Sequence, residues 1–597
     1  MLTKLTVRNF KRFGNAEIEL GNPVVFVGPN NSGKTTALQA LALWNIGVKR
    51  WNEKRAGKKA PEKRPGVTIN RRDLIAIPVP HANLLWQNLH VRDTNVVKAP
   101  DGGVVKNKDG NPKTETQNVR IDIIVEGTSE GHKWECGLEF DYANEESFYC
   151  RPLRRTDGKD PERMAVPDAA FKVNIAFLPP MSGLASNEIR LDPGAVNVKL
   201  GEGRTAEVLR NLCYRIATPE GDGSHTKSAA AEKWNALCDH AEKLFGIRLD
   251  QPRYVPERGE IAMTYIDQAN VRLDLSAAGR GLQQTLLLLA YLTVNPGAVL
   301  LIDEPDAHLE ILRQREIYQL LSDMAKTHSS QIIIATHSEI VLNEAADRDV
   351  VVAFVGRPHR IDDRGQQVLK SLKEIGFDQY YQAEEAGWIL YLEGSTDLAI
   401  LRAFATILDH PAQKALERPF VHYVLNQPNK ARSHFFGLQE AKSDLVAFAL
   451  FDKLTVALQT ERGLHERMWS RREIENYLCD KDVLLAWANA EAKTQGEGPL
   501  FSQMWVQMMT KSIAEIEAAL MTLGKGSPWS PDVKVTDDFL EPLFKSFFKR
   551  INLPNELQKT NYHVLAQYVS RDRIDPEVNA VLDDLYAVTK LARSPAP

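Results

Sequence analysis

Gly28-Pro29-Asn30-Asn31-Ser32-Gly33-Lys34-Thr35 has the G-x-x-x-x-G-K-T spacing of a phosphate-binding loop. The apolar run 24–27 precedes it, and Ala37-Leu38-Gln39-Ala40-Leu41 follows, so a buried strand delivers the loop and a helix receives it. A chance glycine loop would lack both flanks. The glycines let backbone N–H groups curl around phosphate oxygens, and the helix N-terminus adds a favourable partial charge. Lys34 is expected to reach the outer phosphates. Thr35 is expected to hold Mg²⁺, with Thr36 beside it completing the ATP-binding set of residues 28–36.

Composition narrows the class. A chain of 597 residues needs several domains, because one core seldom serves more than about 250–300 residues. The net charge of −4 gives no global attraction for nucleic acid, so any such surface must be local. Cys136, Cys150, Cys213, Cys238 and Cys479 are odd in number and far apart, neither a disulfide framework nor a zinc pattern. That usage, a strand-like opening at residues 2–7 and no apolar run of spanning length predict a cytoplasmic protein without membrane contact.

Residues 1–45 read as strand, strand, loop, helix. A basic stretch follows, with Lys49, Arg50, Lys54, Arg55, Lys58, Lys59, Lys63, Arg64, Arg71 and Arg72 against Glu53 and Glu62. It is either a polyanion contact or a solvated loop. Alternating runs at 119–126 and 133–140 predict antiparallel strands of one sheet, and residues 205–216 and 229–245 predict helices. No heptad pattern lasts long enough for a coiled coil.

A second apolar strand, Val299-Leu300-Leu301-Ile302, ends in Asp303-Glu304, where a parallel sheet presents its chemistry. Asp303 is expected to bind Mg²⁺ and Glu304 to polarise the attacking water. Upstream, Leu275-Ser276-Ala277-Ala278-Gly279-Arg280-Gly281 resembles the signature of ABC ATPases, with Ser276 and Gly279 at its informative positions. Downstream, Pro305-Asp306-Ala307-His308-Leu309 resembles the D-loop of that family, and Gln331-Ile332-Ile333-Ile334-Ala335-Thr336-His337-Ser338 resembles the strand ending in its switch histidine. Taken alone, His337 is equally a structural cap. The resemblance implies a glutamine coupled to the metal. Gln87 is the candidate, a solvent-facing helix residue the alternative. It also implies a homodimer or higher homo-oligomer through the heads, because the signature of one head completes the ATP site of another. The long gap between Lys34 and Asp303 implies an inserted helical region for dimerisation.

In the carboxyl-terminal half, Trp388-Ile389-Leu390-Tyr391-Leu392 is a buried strand leading to Glu393-Gly394-Ser395-Thr396-Asp397 and a helix at 398–408. Strand, E-G-x-x-D and helix resemble the opening of a TOPRIM domain. That likeness makes Glu393 and Asp397 metal ligands, although an acid at a helix N-terminus also has a plain cause in dipole compensation. Further strands at 420–425 and 445–451 follow, the second ending at Asp452-Lys453-Leu454. TOPRIM domains place Asp-x-Asp there, so Asp452 matches and Leu454 departs. In Arg472-Glu473-Ile474-Glu475-Asn476-Tyr477, Glu475 is preferred to Glu473 as a later acidic ligand. A lysine often neutralises charge in such sites; Lys559 and Lys525 are the candidates, or else plain surface lysines. Lys545, Lys549 and Arg550 share a helical face that either tracks a phosphate backbone or borders a core.

An ABC-type head followed by TOPRIM is similar to the OLD-family nucleases, including the nuclease subunit of Gabija-type phage-defence systems. The resemblance implies an α/β protein: an ABC-type ATPase head at 1–180 and 261–385, a helical dimerisation insert at 181–260, TOPRIM at 386–500 and a helical extension at 501–597. It implies ATP and Mg²⁺ as cofactors, with Mn²⁺ able to serve at the TOPRIM site. A metal-dependent endonuclease of anti-phage defence is expected, its activity gated by nucleotide. DNA is the favoured substrate, tRNA an alternative, and a companion defence protein encoded nearby a further partner. The rival expectation is an ATP-switched scaffold with a degraded TOPRIM site that binds nucleic acid or sequesters a toxic partner.

Overall fold

The computed structural model describes residues 1–55, 66–96, 112, 114–156, 162–218, 224–346, 348–361, 375–459, 462–495 and 499–593. Lys58, Lys59, Glu62, Lys63 and Arg64 of the basic stretch lie outside them. The chain divides into Met1–Gly365 and Gln366–Pro597.

Two six-stranded sheets build the first unit. One is antiparallel, in the order Phe13–Glu19, Leu2–Phe10, Arg120–Ser129, His132–Asn144, Ser147–Pro152, Val67–Asn70. The other runs Ile175–Leu178, Val299–Asp303, Gln331–Thr336, Val24–Val27, Val350–Ala353, His359–Arg360, parallel except for the last pair. Helix Lys34–Arg55 is packed between them, which explains why its apolar residues are not confined to one stripe. Leu38, Leu41, Leu43, Trp44 and Val48 are all fully buried, and Trp44 Nε1 donates to the Cys136 carbonyl at 3.0 Å. Gln331 ties the sheets: its Oε1 accepts the Leu2 N–H at 2.7 Å, and its Nε2 donates to the Leu2 and Gly21 carbonyls at 2.8 Å each.

The region 181–260 contains helices Pro193–Gly201, Leu209–Ala217 and Ser224–Phe245, together with short strands Arg248–Leu249 and Arg253–Val255. It falls within the same compact unit as the sheets, and helices Leu209–Ala217 and Ser224–Phe245 pack on helix Arg280–Val294.

The second unit has a four-stranded, all-parallel sheet ordered Val421–Tyr423, Trp388–Leu392, Val446–Phe451, Leu464–Met468. The chain enters at an inner strand, adds one neighbour, then crosses to the other side, so the strand order reverses between Trp388–Leu392 and Val446–Phe451. Helix Phe377–Ala386, which the sequence placed with the head, belongs here: His434 on helix Pro428–Ala441 contacts its Gln379 at 2.5 Å. The boundary expected at 500/501 does not divide the core. Leu390, Phe404 and Phe448 share one apolar cluster with Trp487, Trp505, Phe544 and Phe547. Two members of the basic face are paired within the unit, Lys545 with Glu541 at 2.5 Å and Arg550 with Glu515, and the phenylalanines beside them are core.

Among the described residues, no helix is long and apolar enough to cross a membrane. All five cysteines are free.

Candidate functional site

The first site lies at the carboxyl ends of the parallel strands of the first unit. The loop leaves strand Val24–Val27 through Gly28 at φ 151° and enters helix Lys34–Arg55 through Gly33 at φ 108°. A Cβ on Gly28 would stand 2.8 Å from the Phe354 carbonyl, and one on Gly33 would stand 2.9 Å from the Phe13 ring, so neither position accepts a side chain. Lys34 Nζ donates to the Gly28 and Pro29 carbonyls at 2.7 and 2.8 Å. Burial pulls its pKa down, against the upward pull of Glu304, Asp303 and Asp306.

Thr35 Oγ1 donates to Asp303 Oδ2 at 2.8 Å, joining loop and strand end. Burial pushes the Asp303 carboxyl up to about 6, with the Thr35 hydrogen bond opposing. A hydroxyl beside a carboxylate is the hard oxygen donor set that suits Mg²⁺ bound with a nucleotide. Glu304 takes a left-handed backbone at φ 50°, its N–H donating to Ala335 O at 2.8 Å, and its Oε1 lies 3.7 Å from His337 Nδ1. The capping alternative for His337 is excluded, because Ser338 caps helix Glu339–Ala345 through the Val341 N–H. Buried Asp306 accepts the Thr336 hydroxyl at 2.5 Å, which ties the segment after Glu304 to the strand that carries His337.

A cavity of about 380 Å³ opens over the loop, lined by Asn30 to Thr36, Glu304, Lys11 and Arg12. Lys11 and Arg12 are additions the sequence reading missed. They form the tip between strands Leu2–Phe10 and Phe13–Glu19, and Lys11 donates to Gln39 at 2.6 Å, with burial lowering its pKa to about 8. Gln87 is not among the lining residues. It opens the turn Gln87–Leu89, which is 3₁₀ rather than α-helical, and its carboxamide lies close to Gly14. Ser276 and Gly279 are exposed, at the turn Leu275–Ala277 and at the N-cap of helix Arg280–Val294.

A second site lies at the reversal point of the second-unit sheet, where open α/β sheets bind ligands. Glu393 follows Leu392 and Asp452 follows Phe451, so two adjacent strands deliver one carboxylate each. Asn426 bridges them: its Nδ2 donates to Glu393 Oε2 at 2.5 Å and Asp452 Oδ2 at 3.1 Å, and its Oδ1 accepts the Asp452 N–H at 3.0 Å. Burial and the neighbouring Glu393 push the Asp452 carboxyl far above its usual range. Burial also lifts Glu475 to about 8, assisted by Glu473 and Asp397.

Glu473 and Glu475 part company here. Glu473 Oε1 accepts the Thr536 N–H at 2.5 Å and its backbone N–H donates to Asn476, so this residue closes a turn. Asp397 accepts the Glu393 and Gly394 N–H groups at 2.9 and 3.1 Å, which is the helix-terminus role left open above. Among the described residues no three His, Cys, Asp or Glu side chains are grouped to hold a metal ion. The donor set nearest to that task is the pair Glu393 and Asp452. Lys525 pairs with Asp538 at 2.6 Å. Lys559 is exposed, and its charge acts on Glu473 and Glu475. Lys534, which the sequence reading passed over, acts on Glu473 and Glu393 while paired with Asp537 at 2.6 Å.

Residues 1–63 match the family described as "AAA ATPase domain", and residues 214–343 the one described as "AAA domain, putative AbiEii toxin, Type IV TA system". With the loop, Asp303 and the parallel sheet, these matches support ATP binding by the first unit. The oligopeptide transport ATP-binding protein AppD of Bacillus subtilis (strain 168) is 32% identical over 77 residues, 13% of this chain and 23% of its own length. The dipeptide transport ATP-binding protein DppD of Caldanaerobacter subterraneus subsp. tengcongensis is 36% identical over 72 residues, 12% of this chain and 22% of its own. The chain thus spans under a quarter of the length of these relatives. Among solved structures, the SMC head domain from Thermotoga maritima is 14% identical, covering 60% of this chain and 98% of that one at a TM-score of 0.30. An SMC head bound to the C-winged-helix domain of ScpA is 14% identical with the same coverage, at 0.34.

Proposed function

We infer that the protein is an ATP-binding and ATP-hydrolysing endonuclease of bacterial anti-phage defence, dependent on a divalent metal and acting on DNA. Nucleotide state in the first unit gates cleavage in the second. The observation that carries the reading is the Glu393–Asn426–Asp452 constellation at the reversal point of a parallel sheet, in a chain that also carries an ATPase domain. Glu393 and Asp452 would hold the ion, with Asp397 adding negative potential behind them. The metal would supply an activated water and stabilisation of the leaving 3′-oxygen. Lys534 and Lys559 offset negative charge around the pair. In the first unit, Lys34 would hold the triphosphate and Thr35 and Asp303 its Mg²⁺, while Glu304 orients water and His337 answers to the outer phosphate through its proximity to Glu304. Ser276 and Gly279, exposed on the surface, complete the ATP site of a second copy.

The test incubates purified protein with supercoiled plasmid, genomic DNA and total RNA, with Mg²⁺ or Mn²⁺ and with or without ATP. Glu393→Ala should abolish nicking and leave ATP hydrolysis unchanged; nicking unaffected by that change rejects the site. Cleavage of RNA alone moves the substrate to tRNA-like molecules.

The scaffold reading has its own support in Leu454 and in the turned-back carboxylate of Asp397. Under it, titration of the full chain with Mn²⁺ detects the nucleotide-linked site and nothing dependent on Glu393 or Asp452.

A further inference from the structure

The hydroxyl of Ser276 is already committed. It donates to Asp274 Oδ1 at 2.6 Å, and the Ser276 backbone N–H donates to the same oxygen at 2.8 Å. A third donor arrives from the region between the two halves of the head: Arg210 NH2, also at 2.8 Å. Arg210 belongs to helix Leu209–Ala217 and is 1% exposed. Its NH1 donates to the Ala185 and Ser186 carbonyls at 3.2 and 2.9 Å, its backbone N–H donates to the buried Glu188 carboxylate, and its Nε is buried with no partner.

Burying a guanidinium is costly unless a charge compensates it. Here the ion-pair partner is Asp274, whose side chain is half exposed beside the signature turn. A serine carries one hydroxyl proton, and a phosphate oxygen is an acceptor only. Ser276 therefore serves a phosphate only by withdrawing that proton from Asp274. A carboxylate at that point also repels an incoming triphosphate, and Arg210 is the cation that offsets the repulsion.

We propose that Arg210 and Asp274 are positioning residues that set whether the Ser276 hydroxyl donates to the triphosphate of a second copy, so that the helical region 181–260 tunes the shared ATP site. This rests on the shared-site reading above. As the phosphate arrives, Ser276 rotates about χ1 and Arg210 retains Asp274 through NH2. Without Arg210, the Asp274 charge faces the phosphate uncompensated.

The experiment measures dimerisation of the full chain by sedimentation velocity over a range of protein concentrations, with Mg²⁺ and a non-hydrolysable ATP analogue. Fluorescent-ATP affinity at low protein concentration reports the loop of each single copy, and Lys34→Ala is the control that abolishes both. Asp274→Asn should lower the half-dimerisation concentration about tenfold, and Arg210→Met should raise it about tenfold, the worth of one charge-assisted hydrogen bond. In the Asp274→Asn background, Arg210→Met should have no further effect, and single-copy nucleotide affinity should stay constant throughout. A merely capping Asp274 predicts no gain from Asp274→Asn, because Asn caps as well as Asp. A half-dimerisation concentration within twofold of wild type for Asp274→Asn overturns the proposal, whether or not Arg210→Met folds. Absence of nucleotide-driven dimers in the wild type rejects the shared-site reading and this inference with it.

Discussion

Replacing Glu475 by Gln removes one titrating group from the second-unit cluster while keeping its shape. Glu475 is 4% exposed, and its carboxyl is lifted from 4.5 to about 8, first by burial and then by Glu473 and Asp397. Between those values the folded chain holds a proton that the unfolded chain has released. Stability therefore falls as pH rises through the window. At 1.36 kcal/mol per pH unit the full effect is about 5 kcal/mol, and water entry on local relaxation brings the expected value to about 2–3 kcal/mol. Gln does not titrate, so the variant lacks this loss. The assay is hydrogen exchange of the amides in turn Ile474–Tyr477, at pH 5.5 and 8.5 with chelator present, corrected for intrinsic exchange rates. Wild type should lose about 1–2 kcal/mol of opening free energy relative to Glu475→Gln between those pH values, the part of the window above pH 5.5. Mn²⁺ at pH 8.5 should restore protection in wild type and less so in the variant. A wild-type-to-variant difference that stays constant with pH refutes the assignment of a high-pKa carboxyl to this position.

Thr35→Ala should weaken Mg²⁺-dependent nucleotide binding on the order of 10–100-fold while leaving metal-free binding close to wild type, read by fluorescent-ATP titration with Mg²⁺ or chelator. In the wild type the same Mg²⁺ dependence should fade as pH drops through about 6, where Asp303 takes up its proton. Glu139 is fully buried against Arg151, Arg154 and Arg163; although burial pushes its carboxyl up, hydrogen bonds from Arg154 and Arg151 hold it down at about 2. Glu139→Ala strands those guanidiniums and should cost about 3–5 kcal/mol in denaturant unfolding of the first unit. Because the depressed pKa makes the Glu139 contribution present at neutral pH, it should disappear as pH falls from about 4.5 towards 2.

The nucleotide loop was legible because its chemistry is written on consecutive residues between a strand and a helix. Lys11 and Arg12 were not, because they reach the loop only when the first hairpin folds over it and brings Phe13 against Gly33. Asn426 was missed for a related reason. It lies in the loop after a three-residue strand, and sheet pairing alone places it between carboxylates that are 33 and 26 residues away in sequence. The structure holds Leu425 and Asn426 in left-handed backbones, at φ 51° and 55°, a conformation that Asn tolerates. The different surroundings of Glu473 and Glu475 were not legible in the sequence. Only packing shows that Thr536 and Asn476 engage Glu473.

Asp397 and Leu454 press on the same question from opposite sides. Asp397 accepts two backbone N–H groups at the start of helix Ser395–Ile407, which by itself explains an acid there. Yet burial and the nearby Glu393 leave its carboxyl at about 6, so at neutral pH it contributes negative charge to a site already holding Glu393, Asp452 and Glu475. A capping acid needs no such company. Asn426 supplies a single amide donor between Glu393 and Asp452, and the cations that act on the cluster, Lys534 and Lys559, do so from outside it. The raised pKa values of Asp452 and Glu475 follow first from burial and then from the neighbouring carboxylates, and the described cations acting on the cluster do not offset them. A divalent ion entering between Glu393 and Asp452 must therefore displace protons. Its affinity should rise with pH through the neutral range, and buffers of different ionisation enthalpy should expose the release as a buffer-dependent binding heat. Leu454 removes one potential ligand without removing the electrostatic demand, which Glu393 and Asp452 at the strand ends impose by themselves.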